Sequence, residues 1–124
     1  MKRGAGGTVD VEFITQMLQL KHARENDSVL LTGTRDSLKR LAAIGFLDDE
    51  VAQRLSEGYQ LLRSVEARLR LMNTTARHDL PVDRKQLEKL AYLLEYQSAD
   101  QLANTVANHR IQIREDFDSL FSSE

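Results

Sequence analysis

The chain has 124 residues, one proline, no tryptophan, no cysteine and a formal charge of −2. This length suits one domain with its own hydrophobic core. The lack of cysteine excludes disulfides, thiolate metal sites and thiol nucleophiles and fits a reducing, cytoplasmic compartment. The charge balance gives no positive field for nucleic acid or an anionic membrane, and no apolar run approaches the roughly 20 residues of a membrane span.

Residues 1–8 are rich in glycine and are expected to be a flexible linker. Lys2 and Arg3 have no hydrophobic region behind them, so this is not a signal peptide; it reads as the join to an upstream part of a longer chain. Helical periodicity begins near Val9. Phe13, Ile14, Met17 and Leu18 form a stripe, and Val9, Val11 and Leu20 widen it. Apolar residues around so much of the circumference predict a deeply buried helix, ending near Arg24 before the turn-forming Glu25-Asn26-Asp27-Ser28.

Val29, Leu30 and Leu31 form a short apolar run of undefined type. Thr34 reads as the N-cap of a second helix carrying Leu38, Leu41, Ala42 and Ile44, with Gly45 supplying a left-handed residue at its end. Asp48 or Asp49 caps a third helix. Its seam of Val51, Leu55, Tyr59, Leu62, Val65, Leu69 and Met72 runs for about six turns, and it should fade near Asn73-Thr74-Thr75. His78-Asp79-Leu80-Pro81 breaks the pattern. Asp83 caps a fourth helix with Leu87, Leu90, Ala91 and Leu94. Ser98 caps a fifth with Leu102, Val106, Ile113, Phe117 and Leu120. No alternating run marks a strand, and no internal repeat is evident. The expected fold is all-α, a bundle of about five helices over residues 9–124.

The chemistry-bearing residues form no convergent set. Gly4, Gly6 and Gly7 match neither a phosphate loop, which needs Lys-Ser/Thr after its last glycine, nor a dinucleotide fingerprint, which needs a preceding strand. Asp10 and Glu12 would share Mg²⁺ on a strand, but on a helix residues two apart diverge. The helical reading makes them first-turn acids that suit the helix dipole. His22, His78 and His109 lie in three separate segments, so no metal site is expected. His109 sits at the seam spacing and reads as a packed histidine. Arg63, Glu66, Arg68 and Arg70 form a charged band, with Glu66 and Arg70 at a favourable ion-pair spacing. The band is either a solvated face or a contact surface. No catalytic residue is identified.

The run Lys2-Arg3-Gly4-Ala5-Gly6-Gly7-Thr8-Val9-Asp10-Val11-Glu12-Phe13-Ile14-Thr15-Gln16 resembles a signature of the glutamine synthetase adenylyltransferases: Lys-x-Gly-x-Gly-Gly, two variable residues, acidic-aliphatic-Glu-Phe, then aliphatic-x-Gln. The likeness continues through Leu18-Gln19-Leu20-Lys21-His22-Ala23, Leu41-Ala42-Ala43-Ile44-Gly45-Phe46-Leu47, Tyr59–Leu69, Leu80-Pro81 and Leu87-Glu88-Lys89-Leu90-Ala91. The resemblance implies a large, doubled enzyme in which each half has a nucleotidyltransferase domain followed by a helical bundle. One half moves AMP from ATP, with Mg²⁺, to a tyrosine of glutamine synthetase; the other removes it, under control of PII signal protein and glutamine. Val9-Asp10 and Lys21-His22-Ala23 are more similar to the C-terminal, adenylylating half. The family's catalytic Gly-Ser and Asp-x-Asp are missing here. The resemblance therefore implies a regulatory or scaffolding helical domain, inactive alone and without its own cofactor. Lys2, Gly6, Gly7, Asp10 and Glu12 would lie nearest the upstream nucleotidyltransferase domain. A free-standing helical interaction module of another family is the alternative.

Overall fold

Five α-helices form where the apolar periodicity lies. The computed structural model describes residues 6–72, 80–81 and 83–121. Its helices are α1 (Thr8–His22), α2 (Thr34–Ala43), α3 (Asp49–Leu71), α4 (Arg84–Leu93) and α5 (Ala99–Phe121), with a 3-10 turn at Asp27–Val29. There is no strand among the described residues. The expected fading at Asn73–Thr75, His78, and the linker residues up to Ala5, Lys2 and Gly4 included, lie outside them.

Local hydrogen-bond chemistry sets the helix ends. The side chains of Asp48 and Asp83 accept from the amides of Glu50 and Lys85, each at 2.9 Å, and Ser98 Oγ accepts from the Gln101 amide at 3.0 Å. Each satisfies an amide that the helix itself leaves unpaired. At α2 the expectation is off by one residue. Gly33 is the N-cap, at φ 70°, and Thr34 is already helical.

Helices α2 and α4 end alike. The Gly45 and Phe46 amides return to the carbonyls of Ala42 and Leu41 at 3.1 and 2.9 Å. Those of Glu95 and Tyr96 return to Tyr92 and Ala91 at 3.0 and 2.8 Å. Both are Schellman turns, which need a left-handed residue. Gly45 supplies it at φ 88° and Glu95 at φ 64°. The bounds 34–43 and 49–71 recur at 84–93 and 99–121. The fold thus repeats a short helix, a tight turn and a long helix, although the sequence shows no repeat.

The core lies where α1, α2, α3 and α5 meet. Val11, Ile14, Leu38, Leu41, Leu55, Leu69, Leu102 and Ile113 are all but closed to solvent. A fully buried side chain of this size contributes roughly 1.5–3 kcal/mol. Inside α1, the Gln19 amide nitrogen lies 2.7 Å from the Val29 carbonyl, 2.9 Å from that of Leu31 and 3.0 Å from Ser37 Oγ. It thereby fastens the irregular connection between α1 and α2.

Cross-helix contacts give the directions. Thr8 meets Glu66 and Glu12 meets Tyr59, so α1 and α3 are antiparallel. Asp10 meets Arg114 and Phe13 meets Phe117 and Phe121, so α1 and α5 are parallel. The expected deep burial of α1 is only half realised. Val11, Ile14 and Leu18 are buried, whereas Val9, Phe13, Met17 and Leu20 remain 45%, 44%, 39% and 70% exposed. The core covers one side of the helix; on the other, Phe13 packs on Phe117 and Phe121 of α5, while Val9 and Leu20 face outward.

Candidate functional site

The residues singled out in the glycine signature converge on the start of α1. Gly6 takes φ 79°, a conformation that favours glycine. Its amide donates to Asp10 Oδ2 at 2.7 Å. A Cβ on Gly6 would stand 2.1 Å from the Arg110 carbonyl oxygen, so the backbone here touches the middle of α5 directly. Gly6 and Gly7 are buried. Gly7 is the N-cap of α1 and contributes no side-chain cap, leaving Asp10 to serve the first turn.

Three carboxylates pin this corner to the bundle. Asp10 Oδ2 also accepts from Arg114 Nη1 at 3.3 Å. Glu66 on α3 accepts from the Thr8 hydroxyl at 3.3 Å and pairs with Arg63 at 3.3 Å. Glu12 Oε2 accepts from the Tyr59 hydroxyl at 2.8 Å. Desolvation in this packed setting pushes the Tyr59 phenol above its ordinary range, and the Glu12 hydrogen bond adds to the rise. Burial likewise lowers the Arg110 guanidinium from its ordinary value, against the fields of Asp10 and Glu66 that raise it. Of the charged band, Arg63 and Glu66 join the corner, while Arg70 is an exposed last-turn cation on α3.

Asp10 and Glu12 sit on a helix and point to different partners, one to α5 and the other to α3. No group of three or more His, Cys, Asp or Glu that could hold a metal ion occurs among the described residues. His22 stacks on Phe46 with ring centroids 3.9 Å apart and approaches Glu25 at 3.1 Å. His109 is half-buried and faces Gly58 across the α3–α5 contact. A groove of about 460 Å³ between α2 and α3, lined in part by Arg35, Asp36, Lys39 and Asp49, holds none of the candidate residues.

Sequence reasoning missed two features. Arg54 Nη2 meets the buried Asp116 Oδ1 at 2.8 Å, linking α3 to α5. This hydrogen bond raises the Arg54 pKa further. Arg114 also lies over the Phe117 ring at 4.4 Å, which helps to aim it toward Asp10. An aspartate at position 116, between Ile113 and Phe117 on the apolar stripe of α5, was the available signal for the first pair; nothing in the sequence names its partner.

A helical packing domain with a charged, hydrogen-bonded joint at its first helix is the class that this geometry defines. The chain belongs to the GlnD PII-uridylyltransferase family, whose model matches residues 1–121. Among curated proteins it is similar to the bifunctional glutamine synthetase adenylyltransferase/adenylyl-removing enzymes. It is 39% identical to that of Cutibacterium acnes over 102 residues, 82% of this chain and 10% of the relative. With the Xanthomonas campestris enzyme the identity is 32% over 98% of the chain and 13% of the relative. With that of Rhizobium meliloti it is 29% over the whole chain and 13% of the relative. The chain thus spans about a tenth to an eighth of the length of these relatives.

Proposed function

We propose that the chain is the helical domain that follows the nucleotidyltransferase core of an enzyme acting on glutamine synthetase, in the control of nitrogen assimilation. In this reading the enzyme transfers AMP from ATP to a glutamine synthetase tyrosine and reverses the modification, in the cytoplasm, under PII control. The residues before Thr8 connect the core to the bundle, which begins with α1, and the segment belongs to the C-terminal, adenylylating half. The observation that carries the reading is the family match over residues 1–121, together with relatives whose names specify adenylyl transfer and removal.

The side-chain chemistry agrees with a supporting role. Asp10, Glu12 and Glu66 are each engaged by cations, hydroxyls or amides that hold α1 to α3 and α5. In this reading ATP and Mg²⁺ are ligands of the core, and no catalytic step is assigned to these residues. The bundle's work is to hold Gly6 and Gly7 in place on Arg110 and so fix where the preceding chain arrives.

The test is transfer of labelled AMP from ATP to glutamine synthetase by the 124-residue chain and by the complete gene product, with labelled UTP and PII protein in parallel. Labelling of glutamine synthetase by the complete product alone supports the reading. Labelling of PII instead would move the domain to the activity that the family model's name describes. Labelling by the 124-residue chain would overturn the supporting role, and no labelling in any arm would leave a free-standing interaction module.

A further inference from the structure

Helices α3 and α5 run antiparallel, with Arg54 beside Asp116 and Gly58 beside Ile113. Next to its apolar Leu102, Val106 and Ile113, α5 carries a polar stripe of Thr105, Asn108, His109, Gln112 and Asp116 at helical spacing. Thr105, Asn108, His109 and Gln112 enclose a cavity of about 280 Å³ together with Arg54 and Glu57 of α3. That volume lies just below the range of drug-sized ligand sites and suits a smaller molecule.

The long helix gives up intrinsic stability at this crossing. Gly58 stands inside α3, where only proline is a weaker helix former. A Cβ there would lie 3.3 Å from His109 Nδ1 and 3.0 Å from Ile113 Cδ1, so the glycine makes room for the imidazole between the helices.

The charge of the wall selects the ligand. Arg54 is neutralised by Asp116 at 2.8 Å, and the fields of Glu50 and Asp48 reach it as well. Glu57 accepts a hydrogen bond from Gln53 at 2.7 Å and joins no ion pair among the described residues. Behind Arg54 and Gln112, Asp116 Oδ2 is buried without a hydrogen-bond partner, as is Arg54 Nε, so the ion pair is held by one bond. The Thr105 hydroxyl gives its proton to the Gln101 carbonyl at 2.8 Å and keeps its lone pairs. The side chains of Asn108 and His109 make no hydrogen bond among the described residues. Acceptors thus outnumber uncommitted cations around this cavity.

We propose that the cavity binds a small aliphatic amine, with its ammonium group held by Glu57 and by the amide oxygens of Asn108 and Gln112. An ammonium has three donors and no acceptor, which matches such a wall. The side-chain stems of Arg54, Glu57 and Gln112 flank the methylene chain. An anion finds no uncommitted cation here, and an uncharged molecule gains nothing from Glu57. The site lies wholly on α3 and α5 and stands apart from the functional reading above.

The test is a titration of putrescine into the 124-residue chain at low salt, followed by NMR through the ring signals of its three histidines. His109→Gln assigns the signal of interest. That signal should shift and saturate with a dissociation constant of about 1 mM or below. Butanediol, of equal length and uncharged, and succinate, of opposite charge, should bind at least about tenfold more weakly. Glu57→Gln should weaken putrescine binding at least about tenfold, whereas Asp36→Asn in the groove between α2 and α3 leaves it unchanged. Glu57 is exposed, so its replacement spares the core, and circular dichroism shows whether each variant is folded. Binding should also weaken as salt rises, because ions screen exposed charges. Absence of a saturable His109 shift up to about 10 mM putrescine would overturn the proposal. So would equal binding of butanediol or succinate, or an unchanged affinity in Glu57→Gln.

Discussion

Replacing Gly6 by alanine tests the joint between α1 and α5. The new Cβ would stand 2.1 Å from the Arg110 carbonyl oxygen and 2.7 Å from its carbon, both backbone atoms in the middle of a helix. Alanine at φ 79° also carries the left-handed penalty of roughly 1–2 kcal/mol. Relief requires residue 6 to leave α5, which breaks the 2.7 Å amide hydrogen bond to the Asp10 carboxylate, worth about 1.5–3 kcal/mol. Leaving α5 also relieves the left-handed penalty, so the loss should be about 2–3 kcal/mol, set by the broken hydrogen bond and the lost contact with α5. Gly45→Ala is the control, because it has φ 88° and no atom within 4 Å of a built Cβ. It should cost only the backbone term, about 1–2 kcal/mol. Urea unfolding followed by circular dichroism measures both, and an unchanged m-value would show that native stability alone has moved. If Gly6→Ala loses no more than Gly45→Ala, the segment is not held against Arg110 and the reasoning fails.

Three further outcomes follow from contacts described above. Arg54→Ala leaves Asp116, 7% exposed, as a buried carboxylate without its cation, whereas Asp116→Ala leaves Arg54, 39% exposed, able to reach water; the arginine variant should be the less stable by about 1–3 kcal/mol in urea melts. Glu95→Gly removes the left-handed penalty at the end of α4 and should raise stability by about 1 kcal/mol, seen as a higher urea midpoint. Burial holds Tyr59 neutral above the usual tyrosine range, so its contribution to stability is intact below that range and is lost as pH rises through the folded-state value. An alkaline absorbance titration should show a late tyrosine step that Tyr59→Phe abolishes, while the lost hydrogen bond to Glu12 costs about 1 kcal/mol near neutral pH.

What the sequence disclosed was local. The α3 seam from Val51 to Met72 and the caps at Asp48, Asp83 and Ser98 depend on neighbours within a turn or two, and they appear in the structure as expected. Thr34 was misplaced because a glycine at positive φ can do the work of a cap without a side chain. Periodicity showed that α1 is apolar on several sides but not which side the other helices would cover. The joint itself was out of reach, because Asp10 and Arg114 are 104 residues apart and Arg54 and Asp116 are 62 apart. Residue type and spacing alone say nothing about such pairings. The repeated helix pair was hidden for another reason: Gly45 and Glu95 fill the same turn position with unlike residues.

The parallel pairing of α1 with α5 also bears on synthesis. Ribosomes add roughly 5–20 residues per second, so Arg114 emerges about 5–20 s after Asp10, given their separation of 104 residues. Until then the nascent first helix has no Arg114 to pair with and no Phe117 or Phe121 beside Phe13. Helices α2 and α3 are made sooner and can shelter its inner side, but Phe13 waits for the end of α5.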